Sequence, residues 1–100
     1  MENFTIHIFN YGETQLISKD HSVKVNSNLV SDETTTLIDG IWNLKPSGTT
    51  GNKEFHVIHV FGHNDVRWLG KNNVHFTLKN DLTLKPLIDN LITELIKLDT

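Results

Sequence analysis

The fold is decided by residues 54–79, EFHVIHVFGHNDVRWLGKNNVHFTLK, which hold three strand-like runs separated by two short turns. Valine, isoleucine and aromatic residues fill the runs, and glycine and asparagine fill the turns. Turns this short join neighbouring antiparallel strands, so the segment predicts a three-stranded antiparallel meander. The predicted strands are Glu54–Phe61, Val66–Leu69 and Val74–Lys79, and the turns are Gly62–Asp65 and Gly70–Asn73.

The C-terminal segment has the pattern of an amphipathic helix. Leucine and isoleucine recur every three or four residues from Leu84 to Leu98, and polar residues fill the opposite side. Thr83 is the predicted cap, and Pro86 falls in the first turn, where its missing N–H costs little. We expect this helix to lie flat on one face of the sheet.

The first half of the chain predicts three further strand segments. Phe4–Phe9 alternates with a period of two, Glu13–Ser18 can pair back on it, and Ser22–Val30 gives a short strand followed by a loop. The sequence alone suggests no internal repeat.

A second helix is predicted in mid-chain. Leu37, Ile41 and Leu44 fall at helical spacing, and Pro46 ends the helix. The complete pattern predicts one α+β domain over residues 1–100. We expect two layers, with a mostly antiparallel sheet of about five to six strands and both helices on one face.

The composition excludes several classes of function. Cysteine is absent, which excludes disulfides, cysteine-ligated zinc and thiol nucleophiles. The net charge is −3 and Arg67 is the only arginine, so no nucleic-acid partner is expected. No apolar run is long enough to span a membrane, and the N-terminus does not resemble a signal peptide. We therefore expect a cytoplasmic protein without a membrane partner.

The alternation of residues along the strands predicts which side chains point away from the helices. In the first strand of the meander, Phe55, Val57 and Phe61 form the more apolar set and are assigned inward together with His59. This leaves His56, Ile58 and Val60 on the outer face, while the next strand presents either Arg67 and Leu69 or Val66 and Trp68.

The predicted outer face is too apolar for a sheet that simply meets water, which indicates an interaction surface. An alternative is that residues 18–30 fold over this face and bury it. The strand edges contain no proline and few charges, so they too could pair with another chain. The predicted interface residues are Phe9, His56, Ile58, Val60, Trp68 and Leu69.

Histidine is frequent, with six in the chain. His56 and His59 lie on opposite faces of a regular strand and cannot chelate one ion together. His7, His56 and His75 are all predicted outward, and such a set could bind Zn²⁺ or Ni²⁺. The commoner interpretation is three ordinary strand histidines, and no cofactor is expected.

Catalytic motifs are weak. Asp20-His21 and His63-Asn64-Asp65 place a base beside a carboxylate, but no nucleophile elbow accompanies them. Residues 47–53, SGTTGNK, resemble a phosphate loop only superficially, because they follow a helix and precede a strand. An enzyme is therefore not the expected class.

The leading hypothesis is a non-enzymatic interaction or assembly module that binds a protein partner or another copy of itself. The absence of alanine, with 11 asparagines and 11 threonines, is typical of an AT-rich genome. It favours a small phage or mobile-element accessory or virion structural protein, which would place the chain in the virion. The alternative hypothesis is a small histidine-based metal-binding protein or enzyme.

Overall fold

The computed structural model describes residues 3–72 and 74–99, so Asn73 of the second predicted turn lies outside it. Within the described residues the chain forms six strands and two α-helices. They are β1 (Phe4–Phe9), β2 (Glu13–Ser18), β3 (Ser22–Asn26), α1 (Ser31–Asn43), β4 (Phe55–Phe61), β5 (Asp65–Gly70), β6 (His75–Lys79) and α2 (Lys85–Leu98).

All of these strands join one antiparallel sheet in the order β3-β2-β1-β4-β5-β6. Both helices pack against one face of it, which confirms the predicted α+β class. Of the helices in the described part of the chain, none is long and apolar enough to cross a membrane.

The core lies between the helices and the inner face of the sheet. Ile6 and Ile8 on β1 are fully buried, as are Leu37 of α1 and Leu91 and Leu95 of α2. Burying a side chain of this size stabilises the fold by about 1.5–3 kcal/mol, so the helical apolar stripes and the strand alternation are what hold the two layers together.

Strand β4 contradicts the predicted assignment of faces. Its pairing with β5 shifts between Phe55 and Val57, which leaves His56 as an extra residue in a β-bulge. An extra residue reverses the alternation that follows it. Phe55 therefore packs on Trp68 in the core, with ring centroids 5.4 Å apart, and Val57 nevertheless points outward.

Three predicted interface residues are consequently core residues. Ile58, Val60 and Trp68 are each fully buried on the inner face, so their outward assignment was wrong. Trp68 lies inside for a second reason: of the two alternatives for β5, the structure has Arg67 and Leu69 outward.

The chain is built from two copies of one structural unit. Each consists of three antiparallel strands, a short 3₁₀ turn and an α-helix, and β1 pairs with β4 where the two units meet. This two-fold arrangement leaves a trace in the sequence, because Thr5-Ile6-His7-Ile8-Phe9 corresponds to Val57-Ile58-His59-Val60-Phe61. The prediction that the chain has no internal repeat was therefore wrong.

Hydrogen bonds outside the regular pairing obey the same two-fold relation. Asn10 N–H donates to His56 O at 3.0 Å, and its equivalent Gly62 N–H donates to Phe4 O at 2.9 Å. Likewise, Ser27 N–H donates to Gly12 O at 2.7 Å, and its equivalent Asn80 N–H donates to Asn64 O at 2.8 Å. Equivalent positions therefore make the same backbone hydrogen bonds even where their side chains differ.

Each helix is entered through its 3₁₀ turn, Ser27–Val30 before α1 and Leu82–Leu84 before α2. Asn26 caps the first turn by accepting a bond from the Asn28 N–H, and Asp81 caps the second by accepting from the Thr83 N–H. The N-cap position of α2 is Leu84, which makes no side-chain cap bond, so the predicted capping of this helix by Thr83 was wrong.

Candidate interaction surface

The outer face of the sheet is open in the described residues. The segment that could have covered it, residues 18–30, instead supplies β3, which pairs with β2 and extends the sheet sideways. The alternative in which this segment buries the face is therefore wrong, and the outward side chains meet solvent.

The middle of this face is formed by β1 and β4. The pairing places three outward residues of each strand opposite one another, and all are half-buried among their neighbours. None of these side chains is acidic or carries an amine or guanidinium. They are Thr5, His7 and Phe9 on β1 and Val57, His59 and Phe61 on β4.

Aromatic and imidazole rings run across this centre in continuous contact. His7 meets His59 edge-on at 4.8 Å between ring centroids, and His59 stacks on Phe61 at 5.7 Å. At the other end Phe9 lies 5.8 Å from His7 and stacks on Tyr11 at 5.1 Å. We name these five residues, Tyr11, Phe9, His7, His59 and Phe61, the aromatic belt.

The electrostatics of the belt favour an uncharged imidazole at its centre. Burial lowers the pKa of His59 below its ordinary value, and the neighbouring His7 and Arg67 lower it further. Arg67 lies over the Phe61 ring, 5.0 Å from its centroid, in a cation–π contact. His7 Nδ1 lies 3.4 Å from Gln15 Oε1.

Charged side chains of the outer face lie on the flanking strands. Lys24 on β3 approaches Glu13 on β2 at 3.4 Å, and Arg67 on β5 approaches Asp65 at 3.5 Å. Asp65 also stands opposite Lys79 on the edge strand β6. The surface therefore has an uncharged aromatic centre and a rim of mixed sign.

Two of the remaining predicted interface residues, Phe9 and Leu69, lie on this side of the sheet. Phe9 belongs to the belt, Leu69 is 36% exposed beside it, and His56 is exposed at the bulge. Residues that the sequence analysis assigned inward, Val57, His59 and Phe61, replace those lost to the core. Matching β4 to β1 would have identified them, because Ile6 and Ile8 correspond to the inward Ile58 and Val60.

The predicted metal set is not brought together. His7 lies on β1 and His75 on β6, with two strands between them. His7 instead faces His59, and His56 lies at the bulge. Across residues 3–72 and 74–99, no three histidine, aspartate or glutamate side chains are placed to hold one ion.

The adjacent base–carboxylate pairs in the sequence are also separated. His21 Nδ1 contacts Asp99 Oδ2 at 3.1 Å, and His63 Nε2 contacts Asp89 Oδ1 at 2.6 Å. Both carboxylates come from α2 or the residue that follows it. In each turn, the histidine therefore contacts a distant carboxylate instead of the aspartate beside it in the sequence. In the loop of residues 47–53, Lys53 forms an ion pair with Asp39.

The exposed edges of the sheet are better protected than the sequence suggested. The edge strands are β3 and β6, and each carries an exposed lysine, Lys24 and Lys79 respectively. Lysines on an edge strand oppose pairing with another chain, so the open face is the stronger candidate for an interaction.

No protein-family model, curated protein or solved structure matches this chain.

Proposed function

We propose that this protein is a non-enzymatic assembly module whose outer sheet face packs against the same face of a second copy. The observation that carries the proposal is the distribution of charge on that face. The aromatic belt follows the two central strands into the β1–β2 turn, and the charged side chains named above stand on the strands around them.

This distribution is the usual anatomy of a protein interface. Such interfaces have a desolvated centre enriched in aromatic residues and a polar rim that stays in contact with water. Packing the two central strands against another protein would remove Phe9, Phe61 and Val57 from water, and none of these three side chains is charged. The neutral imidazole of His59 fits this requirement, since burying a charged one would be costly.

A second copy is the occupant that the charges favour. A two-fold interface brings the same surface patch from both molecules together, so the patch must complement itself. Each side of the rim carries both signs, with Lys24 and Glu13 on one side and Arg67, Asp65 and Lys79 on the other. Two such faces can meet without a large net repulsion.

The internal repeat adds to this complementarity. Because β1 and β4 are equivalent, the two halves of the face present similar rows of aromatic and imidazole groups. A second copy that approaches in either direction along the strands meets a similar surface. The cytoplasm or a virion is the setting we propose, with a phage or mobile-element origin resting on the asparagine- and threonine-rich composition.

Sedimentation velocity over a series of micromolar concentrations tests this proposal. We expect the wild-type chain to sediment as a dimer and Val57→Asp to sediment as a monomer. Asn90→Asp is the matched control, because it adds the same charge at an exposed position of α2 on the far side of the molecule. This control should remain dimeric.

Circular dichroism and thermal melting of Val57→Asp serve as the control for its fold, and we expect both to resemble those of the wild type. A wild-type chain that stays monomeric at every soluble concentration would overturn self-association. A Val57→Asp chain that still dimerises would show that the copies meet through another surface.

A further inference from the structure

An open cleft of about 580 Å³ lies at the end of the second structural unit, away from the aromatic belt. It is formed by the β4–β5 turn, the segment after β6 and the start of α2. Its volume is in the range of sites that bind small molecules. The described residues that line it are Asn3, His63, Asn64, Asn80, Leu82 and Lys85.

Asp89 on α2 holds the two most reactive of these groups in place. Its Oδ1 lies 2.6 Å from His63 Nε2, and its Oδ2 accepts a bond from Lys85 Nζ at 2.8 Å. The hydrogen bond from Lys85, together with that from His63, lowers the pKa of Asp89 despite the opposing effect of burial. The carboxylate therefore stays ionised as a support for both side chains.

The cleft offers several hydrogen-bond donors to a ligand. An ammonium group has three N–H donors, and Asp89 occupies one of those of Lys85. Amide groups of Asn64 and Asn80 add further donors beside it. Each oxygen of Asp89 already accepts a bond from one of these groups, and the N–H donors that Lys85 has left suit an anion better than a cation.

The first structural unit contains the equivalent cleft and shows that the fold does not need these charges. This cleft is smaller, at about 230 Å³, and of its described lining residues none is charged. Lys85 and Asp89 are the first and fifth residues of α2, and the first and fifth residues of α1 are Ser31 and Thr35. Likewise Asn64 corresponds to Gly12 and Asn80 to Ser27, which bond through the same backbone atoms.

We propose that the cleft of the second unit binds a small oxyanion, a carboxylate or a phosphate, through Lys85 and the asparagine amides. Two units with the same order of strands and helices and equivalent backbone hydrogen bonds differ in this cluster, and the difference lies in groups that recognise anions. The proposal is independent of the assembly function, because the cleft and the aromatic belt share no residue.

The test is an NMR titration of the ¹⁵N-labelled full chain with inorganic phosphate and, separately, with acetate, at constant ionic strength. We expect saturable shifts of the Asn64, Asn80 and Leu82 amides, with no saturable shift at Gly12 or Ser27. The anion that saturates at the lower concentration identifies whether the site prefers phosphate or carboxylate.

Lys85→Gln should weaken binding by about tenfold, as expected for loss of a charged hydrogen bond. Lys97→Gln is the matched control, since Lys97 is also on α2 and also paired with a carboxylate, Glu94, at 2.8 Å. It should bind like the wild type. Should Lys85→Gln lose its dispersed spectrum, Asn64→Ala replaces it, and it should also weaken binding because it removes one amide donor.

Shifts that grow linearly with anion concentration, or equal shifts in both clefts, would overturn the proposal. Saturation that persists unchanged in a folded Lys85→Gln chain would do the same.

Discussion

His7 and His59 face each other across the two central strands, with ring centroids 4.8 Å apart and the rings nearly perpendicular at 88°. They are equivalent residues of the two structural units, so the internal two-fold axis passes between them. A proton on His59 would place a positive charge at the middle of the aromatic belt, beside the guanidinium of Arg67.

Acid should therefore destabilise the fold through His59. Its pKa is below the ordinary 6.5 in the folded chain, so the unfolded chain takes up the proton first as the pH falls. The contribution of neutral His59 to the stability of the fold is complete above pH 6.5. It is lost as the pH falls from 6.5 to the lower pKa that His59 has in the folded chain. Urea unfolding at about pH 7.5 and about pH 5.5 should show a larger loss for the wild type than for His59→Gln. His21 and His63 are present in both proteins, and an equal loss in both would contradict this assignment.

The bulge in β4 places Ile58 on the inner face of the sheet, which leads to a prediction about stability. Ile58 is fully buried, so Ile58→Ala should reduce the free energy of unfolding by about 2–5 kcal/mol. Ile17 is 47% exposed on the outer face, and Ile17→Ala should cost less than about 1 kcal/mol. Chemical denaturation of dilute protein measures both. If the two variants lost similar free energy, Ile58 would not be on the inner face.

Gly70 is required by a close approach of the chain to itself. A Cβ at this position would lie 2.2 Å from the carbonyl oxygen of Val74, whose position is fixed by the hydrogen bond from the Gly70 N–H. We expect Gly70→Ala to destabilise the fold by more than about 2 kcal/mol.

The internal repeat provides the control for this variant. Ser18 is the equivalent residue of β2, and its N–H donates to the His21 carbonyl in the same way, yet it carries a side chain. Ser18→Ala should cost at most about 1 kcal/mol, from the bond that its hydroxyl accepts from the His21 N–H. A Gly70→Ala chain as stable as Ser18→Ala would show that the Val74 segment moves freely.

Sequence periodicity was enough to predict the strands and both helices, because residues in a regular element take a face according to their position. Phe4–Phe9 illustrates this, with Phe4, Ile6 and Ile8 inward as predicted. In β4 the same reasoning failed at His56, since a bulge adds one residue without a clear mark in composition. As a result, Ile58 and Val60, at the centre of the predicted interface, were assigned to the wrong face of the sheet.

The polar cluster of the cleft could not be predicted for a different reason. His63 and Asp89 meet only because the β4–β5 turn and α2 converge at one end of the sheet, and that convergence depends on the complete fold. The sequence did hold one unused signal, the match between residues 5–9 and 57–61. It would have corrected the faces of β4, although it contains no information about the cleft.

An isotope-filtered NOE experiment shows directly whether two copies meet through the aromatic belt. A mixture of ¹³C-labelled and unlabelled chains gives cross-peaks only between protons of different copies. We predict such cross-peaks from the Val57 methyl groups to the rings of Phe9 and Phe61. If cross-peaks arise only from residues of α1 or α2, the copies do not meet through the aromatic belt. The same conclusion follows if no cross-peaks appear at concentrations where the chain sediments as a dimer.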